Sequence, residues 1–149
     1  KNMAVITPTL TLTSNASTAA SNPGPLSVAL SLSATDTLTV DKVQAETLTV
    51  GTTPAVLFDG SAQDDGGTAG QHGGFVYLKN ISAADHDVYV GAVAEGTSAS
   101  TLDDANDAVR LFTLKQGEFA FFPYDYTMDI VVDGENAAST LEYFLFNRG

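Results

Sequence analysis

Along the last forty residues, short apolar runs alternate with turn residues. Arg110-Leu111-Phe112-Thr113-Leu114 gives way to Lys115-Gln116-Gly117-Glu118, then to Phe119-Ala120-Phe121-Phe122-Pro123. Tyr124-Asp125 breaks the pattern before Met128-Asp129-Ile130-Val131-Val132, and Asp133-Gly134 breaks it again before Leu141–Arg148. Aromatic and β-branched runs of this length, bounded by Gly, Asp and Pro, predict antiparallel strands. Upstream, Phe75–Asn80 reads as a strong strand, Ser82–Asp85 as a turn and His86–Gly91 as the hairpin partner of that strand. Pro54–Phe58 is a short strand. Leu26, Val28, Leu30 and Leu32 alternate with small residues, the period-two signature of a half-buried strand. Ala4–Thr13 alternates as well, but Pro8 confines it to an edge, a strand start or an extended arm.

Two segments echo each other: Asp36-Thr37-Leu38-Thr39-Val40-Asp41 and Glu46-Thr47-Leu48-Thr49-Val50-Gly51. Both predict strands, and their spacing permits a hairpin through Lys42 to Ala45. Three stretches read as loops. Ser14–Pro25 is a hinge rich in Ser, Asn, Gly and Pro. Asp59–Gly74 is long enough to suggest function or disorder. Gly96–Asp107 has room for a short helical turn near Thr101–Asn106. The pattern gives about ten strands and no long helix, and without strand–helix alternation an α/β fold is excluded. The fold expected is all-β: a single antiparallel β-sandwich, jelly-roll-like, over residues 26–149. Residues 1–25 are expected to form a Thr-rich extended N-terminal arm and hinge.

Aromatic placement sharpens this division. The first aromatic residue is Phe58, so aromatic anchors come from the second part of the chain. With 149 residues and 44% hydrophobic content, one ordinary domain with a real core is accessible. Only 16% of residues are charged, which suits many short exposed strands and a surface partly covered in an assembly. The net charge of -12 disfavours direct nucleic-acid binding and contact with an acidic membrane, since both draw on Lys and Arg. No apolar run is long enough for a spanning helix. The first residues lack the basic-then-apolar pattern of a signal peptide, while the absence of Met at position 1 leaves room for a removed leader.

Candidate chemistry is sparse. With no Cys there is no disulfide and no thiolate ligand or nucleophile. Asp59, Asp64 and Asp65, or Asp103, Asp104 and Asp107, offer oxygen ligands of the kind Ca2+ takes from loops, but neither set has EF-hand spacing. His72 and His86 stand outside any metal-ligand spacing. Glu118 and Glu142 are the conceivable carboxylate pair for glycoside hydrolysis, and equally fit as solvent-facing strand residues. No nucleophile elbow or phosphate-binding loop occurs. Tyr77, Tyr89, Tyr124, Tyr126 and Tyr143 suit core packing, a subunit contact or a carbohydrate platform; Tyr124 and Tyr126, flanking Asp125 in a turn, are expected to be the best exposed pair. No enzyme activity, cofactor or metal is assigned.

Gly117–Pro123 resembles the Gly-acid-strand-Pro texture of cupin barrels. The His-x-His pair and later His of that family are missing, so this resemblance implies barrel geometry without metal chemistry. A second resemblance covers roughly the second half of the chain. It is carried by Gly73-Gly74-Phe75-Val76-Tyr77-Leu78-Lys79-Asn80, Val88-Tyr89-Val90-Gly91, Arg110–Pro123 and Leu141–Arg148. These segments resemble small β-rich virion structural proteins of tailed bacteriophages. The resemblance implies a capsid decoration, or cement, protein on the outer surface of the virion. Its implied partners are the major capsid protein and neighbouring copies of itself in a homo-oligomer. The alternative it leaves is a tail- or fibre-associated or adhesin module binding host surface glycan.

Overall fold

The structure, a computed structural model, describes residues 4–6, 9–12, 30–33, 38–63, 74–96 and 109–148. The chain divides into two compact units, Lys1–Thr39 and Val40–Gly149. The first holds β1 (Ala4–Ile6), β2 (Thr9–Leu12) and β3 (Leu30–Ser33). There β2 and β3 pair antiparallel, from Thr9 opposite Ser33 to Leu12 opposite Leu30.

The second unit is all-β and sandwich-like. Its strands are β4 (Leu38–Val50, entering from the first unit), β5 (Ala55–Phe58), β6 (Gly74–Asn80), β7 (Val88–Ala94), β8 (Arg110–Leu114), β9 (Phe119–Tyr124), β10 (Met128–Gly134) and β11 (Ser139–Arg148). A one-turn helix, α1 (Gly60–Gln63), follows β5. Two four-stranded antiparallel sheets result, ordered β4-β11-β6-β9 and β5-β10-β7-β8. The pairings are nested. β4 joins β11, β5 joins β10, β6 joins β9 and β7 joins β8, so the chain doubles back on itself from the outside in. The β11–β6 and β10–β7 ladders then complete the sheets.

Alternation decides the core. Val76 and Leu78 of β6, Ile130 and Val132 of β10, Val88 and Val90 of β7, and Leu141 and Leu145 of β11 are buried between the sheets. Phe58 and Tyr124 are buried with them, their rings 6.1 Å apart. The core is thus mostly aliphatic, and burial of such side chains contributes about 1.5–3 kcal/mol each before chain entropy is counted. A smaller cluster, Val93 and Val131 with Tyr89 and Val109 against it, sits apart from that core, with the Arg110 guanidinium 4.1 Å above the Tyr89 ring.

Two sequence expectations are corrected. The Thr-Leu-Thr-Val echoes are not two strands of a hairpin: Leu38–Val50 is one continuous strand. Lys42 to Ala45 contains no Gly, Pro, Asn or Ser to turn the chain, and the ten-residue β11 offers a partner from Val40 to Val50. Nor is His86–Gly91 the hairpin partner of Phe75–Asn80. The strand runs Val88–Ala94 and belongs to the opposite sheet, between β10 and β8.

The corner that makes this switch is built on Asn80. Its Nδ2 donates to the carbonyls of His86 at 2.7 Å and Leu114 at 2.8 Å, while its Oδ1 accepts from the backbone N and Oγ of Ser82. The Asn80 side chain is fully buried, and these bonds supply the partners that burial demands.

Candidate interaction surface

The outward faces of β6, β9 and β11 carry aromatic residues at alternate positions. Phe75 and Tyr77 lie on β6, Phe119 and Phe121 on β9, Phe144 and Phe146 on β11. The ladder aligns them: Phe75 is two residues from Tyr77, which lies opposite Phe121 and opposite Phe144. The rings form a continuous contact network. Phe75 stacks on Phe121 at 5.7 Å and 10°, Tyr77 on Phe119 at 6.0 Å, and Phe144 on Phe146 at 6.1 Å and 10°. Edge contacts link Tyr77 to Phe144 and Phe121 to Phe146. None of the six joins a core cluster. Phe119 and Phe121 keep 57% and 42% of their surface exposed, unusual for phenylalanine.

Among the described side chains, charge on this face comes from Lys79 and Glu142, which lie opposite each other across β6 and β11. Partial burial, then the negative charge of Glu142, pushes the Tyr77 hydroxyl above its ordinary value. Beside Phe119 a cleft of about 570 Å3 opens between β8 and β9, walled by Phe112, Leu114 and Ala120. Glu118, at this cleft, uses its carboxylate to accept the Lys115 N–H at 2.9 Å, closing the turn between the two strands.

The carboxylates singled out in the sequence serve local structure where the residues are described. Asp59 Oδ1 accepts from Ser61 N at 2.9 Å, Ser61 Oγ at 2.7 Å and Ala62 N at 3.3 Å, capping α1. These bonds hold its carboxyl below the usual carboxylate range, led by that to the Ser61 hydroxyl. Glu142 lies on the outer face of its sheet, opposite Lys79. Asp64, Asp65, His72, Asp103, Asp104 and Asp107, and the helical turn expected near Thr101–Asn106, lie outside the described residues. His86 is half-buried at the Asn80 corner. Among the described residues, no group of three or more His, Asp and Glu stands ready for a metal ion. No helix among them is long and apolar enough to cross a membrane.

The tyrosines fall differently from the expectation. Tyr124 is only 5% exposed, and its hydroxyl donates to the Met128 carbonyl at 2.9 Å. Strand parity explains this, because Tyr124 ends β9 on the same side as Phe122 and Ala120. Tyr126 is half-buried, so the pair does not form an exposed platform. Tyr143 packs on the core and donates to Glu46 Oε2 at 2.8 Å.

Two carboxylates, Asp129 and Asp133, are buried against the sequence reading. Asp129 in β10 accepts from Gly60 N at 2.8 Å through Oδ1 and from Gly96 N at 3.2 Å through Oδ2, tying α1 and the end of β7 to the sheet. The aromatic face did carry a sequence signal: three pairs of rings at spacing two, 75/77, 119/121 and 144/146. No family model matches the chain, and no curated protein or solved structure matches it.

Proposed function

We propose that this chain is a structural protein of a phage virion, a capsid decoration protein that sits on the outer surface of the head and bridges capsomers. The observation that carries the reading is the exposed aromatic sheet face, a surface suited to assembly. The nested ladders support a jelly roll for the second unit, since eight strands in two such sheets are its pattern. The net charge of -12 suits a protein bound to other proteins rather than to packaged nucleic acid. The resemblance of the second half to phage virion proteins points the same way. In this reading the N-terminal arm, residues 1–25, adds contacts to a neighbouring subunit.

The test is cryo-electron microscopy of particles that carry the chain. Density for the sandwich at regular sites over the capsid lattice is expected. Confinement to a tail or fibre favours the adhesin alternative, and absence from the particle removes both.

A further inference from the structure

We infer that the aromatic face of β6, β9 and β11 is a self-association surface, occupied by a second copy of this chain packed face to face about a two-fold axis. The contact deepens the assembly reading by naming a partner, and it is tested without any particle.

Charge selects the occupant. A chain of net charge -12 repels its own copies over most of its surface. On this face the described charged side chains are one Lys and one Glu, placed opposite each other on neighbouring strands. Such a pair is self-complementary. Under a two-fold rotation, Lys79 of one copy meets Glu142 of the other, and Glu142 meets Lys79. Among the described side chains, a strongly basic or strongly acidic partner finds no excess charge to match here.

Ring geometry argues against a sugar in the same place. A sugar stacks best on a single open ring, whereas here the rings lie in near-parallel pairs, Phe75 with Phe121 at 5.7 Å and Phe144 with Phe146 at 6.1 Å. A row of paired rings suits packing against a second set of side chains, as in sheet-on-sheet packing.

The strand edge is a poorer route to association. β9 ends its sheet, and Pro123 within it has no N–H to give to an added strand. Packing therefore uses the face. Three strands about 4.8 Å apart, each about seven residues long, present a footprint of roughly 330 Å2 per copy. The pair thus covers roughly 670 Å2 before side-chain relief, below the size of stable specific contacts. The dimer should accordingly be weak in solution and grow with protein concentration.

The experiment is sedimentation velocity on the full chain over two decades of concentration, with thermal unfolding of every variant. The unmodified chain should shift from monomer toward dimer. Phe119→Ser with Phe121→Ser should stay monomeric with a melting temperature lowered by no more than a few degrees. Lys79→Glu alone should weaken the dimer at least tenfold, and adding Glu142→Lys should restore it. A chain that remains monomeric throughout overturns the inference, as does a dimer indifferent to the ring substitutions. A loss of folding stability as large as that of a buried core truncation in the ring variants also overturns it, because the rings then belong to the chain's own packing. Failure of the charge swap to rescue overturns the two-fold arrangement. None of these outcomes alters what a particle map would say about the capsid.

Discussion

Ser82 binds the side chain of Asn80 twice: its Oγ donates to Asn80 Oδ1 at 2.6 Å and its backbone N donates to the same oxygen at 3.0 Å. With Asn80 Oδ1 held, its Nδ2 is aimed at the carbonyls of His86 and Leu114, which belong to the far side of the corner. Two residues thus fix the point at which the chain passes from one sheet to the other. Asn80→Ala should cost about 2–4 kcal/mol, because two carbonyls lose their donor and the Ser82 groups lose their acceptor in a buried place. Asn80→Asp should cost more, since a carboxylate oxygen then faces two carbonyls. Urea unfolding of both variants checks the order; Asp tolerated better than Ala contradicts the bonding pattern.

The contrast between rings and core gives a second prediction. Leu145 is fully buried between the sheets, so Leu145→Ala should cost about 2–5 kcal/mol. Phe121 is a larger side chain, yet Phe121→Ala should cost no more than about 1 kcal/mol, since it is 42% exposed and its ring contacts are with the surface rings Phe75 and Phe146. Equal losses in chemical denaturation would mean that the rings serve the fold.

Strands were legible from sequence because short aromatic and β-branched runs are bounded by turn residues from Phe75 onward. Which side faces inward was harder. Phe75-Val76-Tyr77-Leu78 is apolar on both sides, and size alone favours burying the rings; the structure buries Val76 and Leu78 instead. Pairing was not legible beyond nearest neighbours. Leu48 meets Leu141 and Phe58 meets Ile130, contacts that no local rule supplies. The assignment of His86–Gly91 to a hairpin with Phe75–Asn80 followed a local rule, and the buried amide of Asn80 overrode it. Asp129 read as one more polar strand residue, because its two N–H donors come from distant loops.

Those donors define a third prediction. Asp129→Asn replaces one acceptor oxygen with an NH2 group, which must face either the Gly60 or the Gly96 N–H. A loss of about 1–3 kcal/mol is expected. Gly60→Ala should be at least as damaging, since a Cβ there collides with the Tyr126 carbonyl. The double variant should lose less than the sum of the singles, because both disrupt the same junction. Full additivity in a double-mutant cycle would separate the two sites.

Alkaline pH supplies the last test. Burial first, then the charges of Asp129, Asp59 and Asp125, pushes the Tyr124 hydroxyl well above the ordinary tyrosine value of 10.0. Tyr143 is also pushed up, by burial and then by its bond to Glu46. The unfolded chain therefore releases these protons at lower pH than the folded chain. A group with a raised folded pKa contributes its stability below the unfolded value and loses it as pH rises toward the folded value. Unfolding free energy should hold steady in this respect up to about pH 9 and fall beyond pH 10, where unfolded tyrosines ionise. Tyr124→Phe should cost about 1 kcal/mol at neutral pH, through the lost bond to the Met128 carbonyl. The same variant should show a shallower decline above pH 10, because the most strongly shifted hydroxyl is gone. Urea midpoints measured from pH 7 to pH 11 decide it. An alkaline slope identical in the parent and Tyr124→Phe would show that Tyr124 ionises as easily folded as unfolded, against its burial on the core.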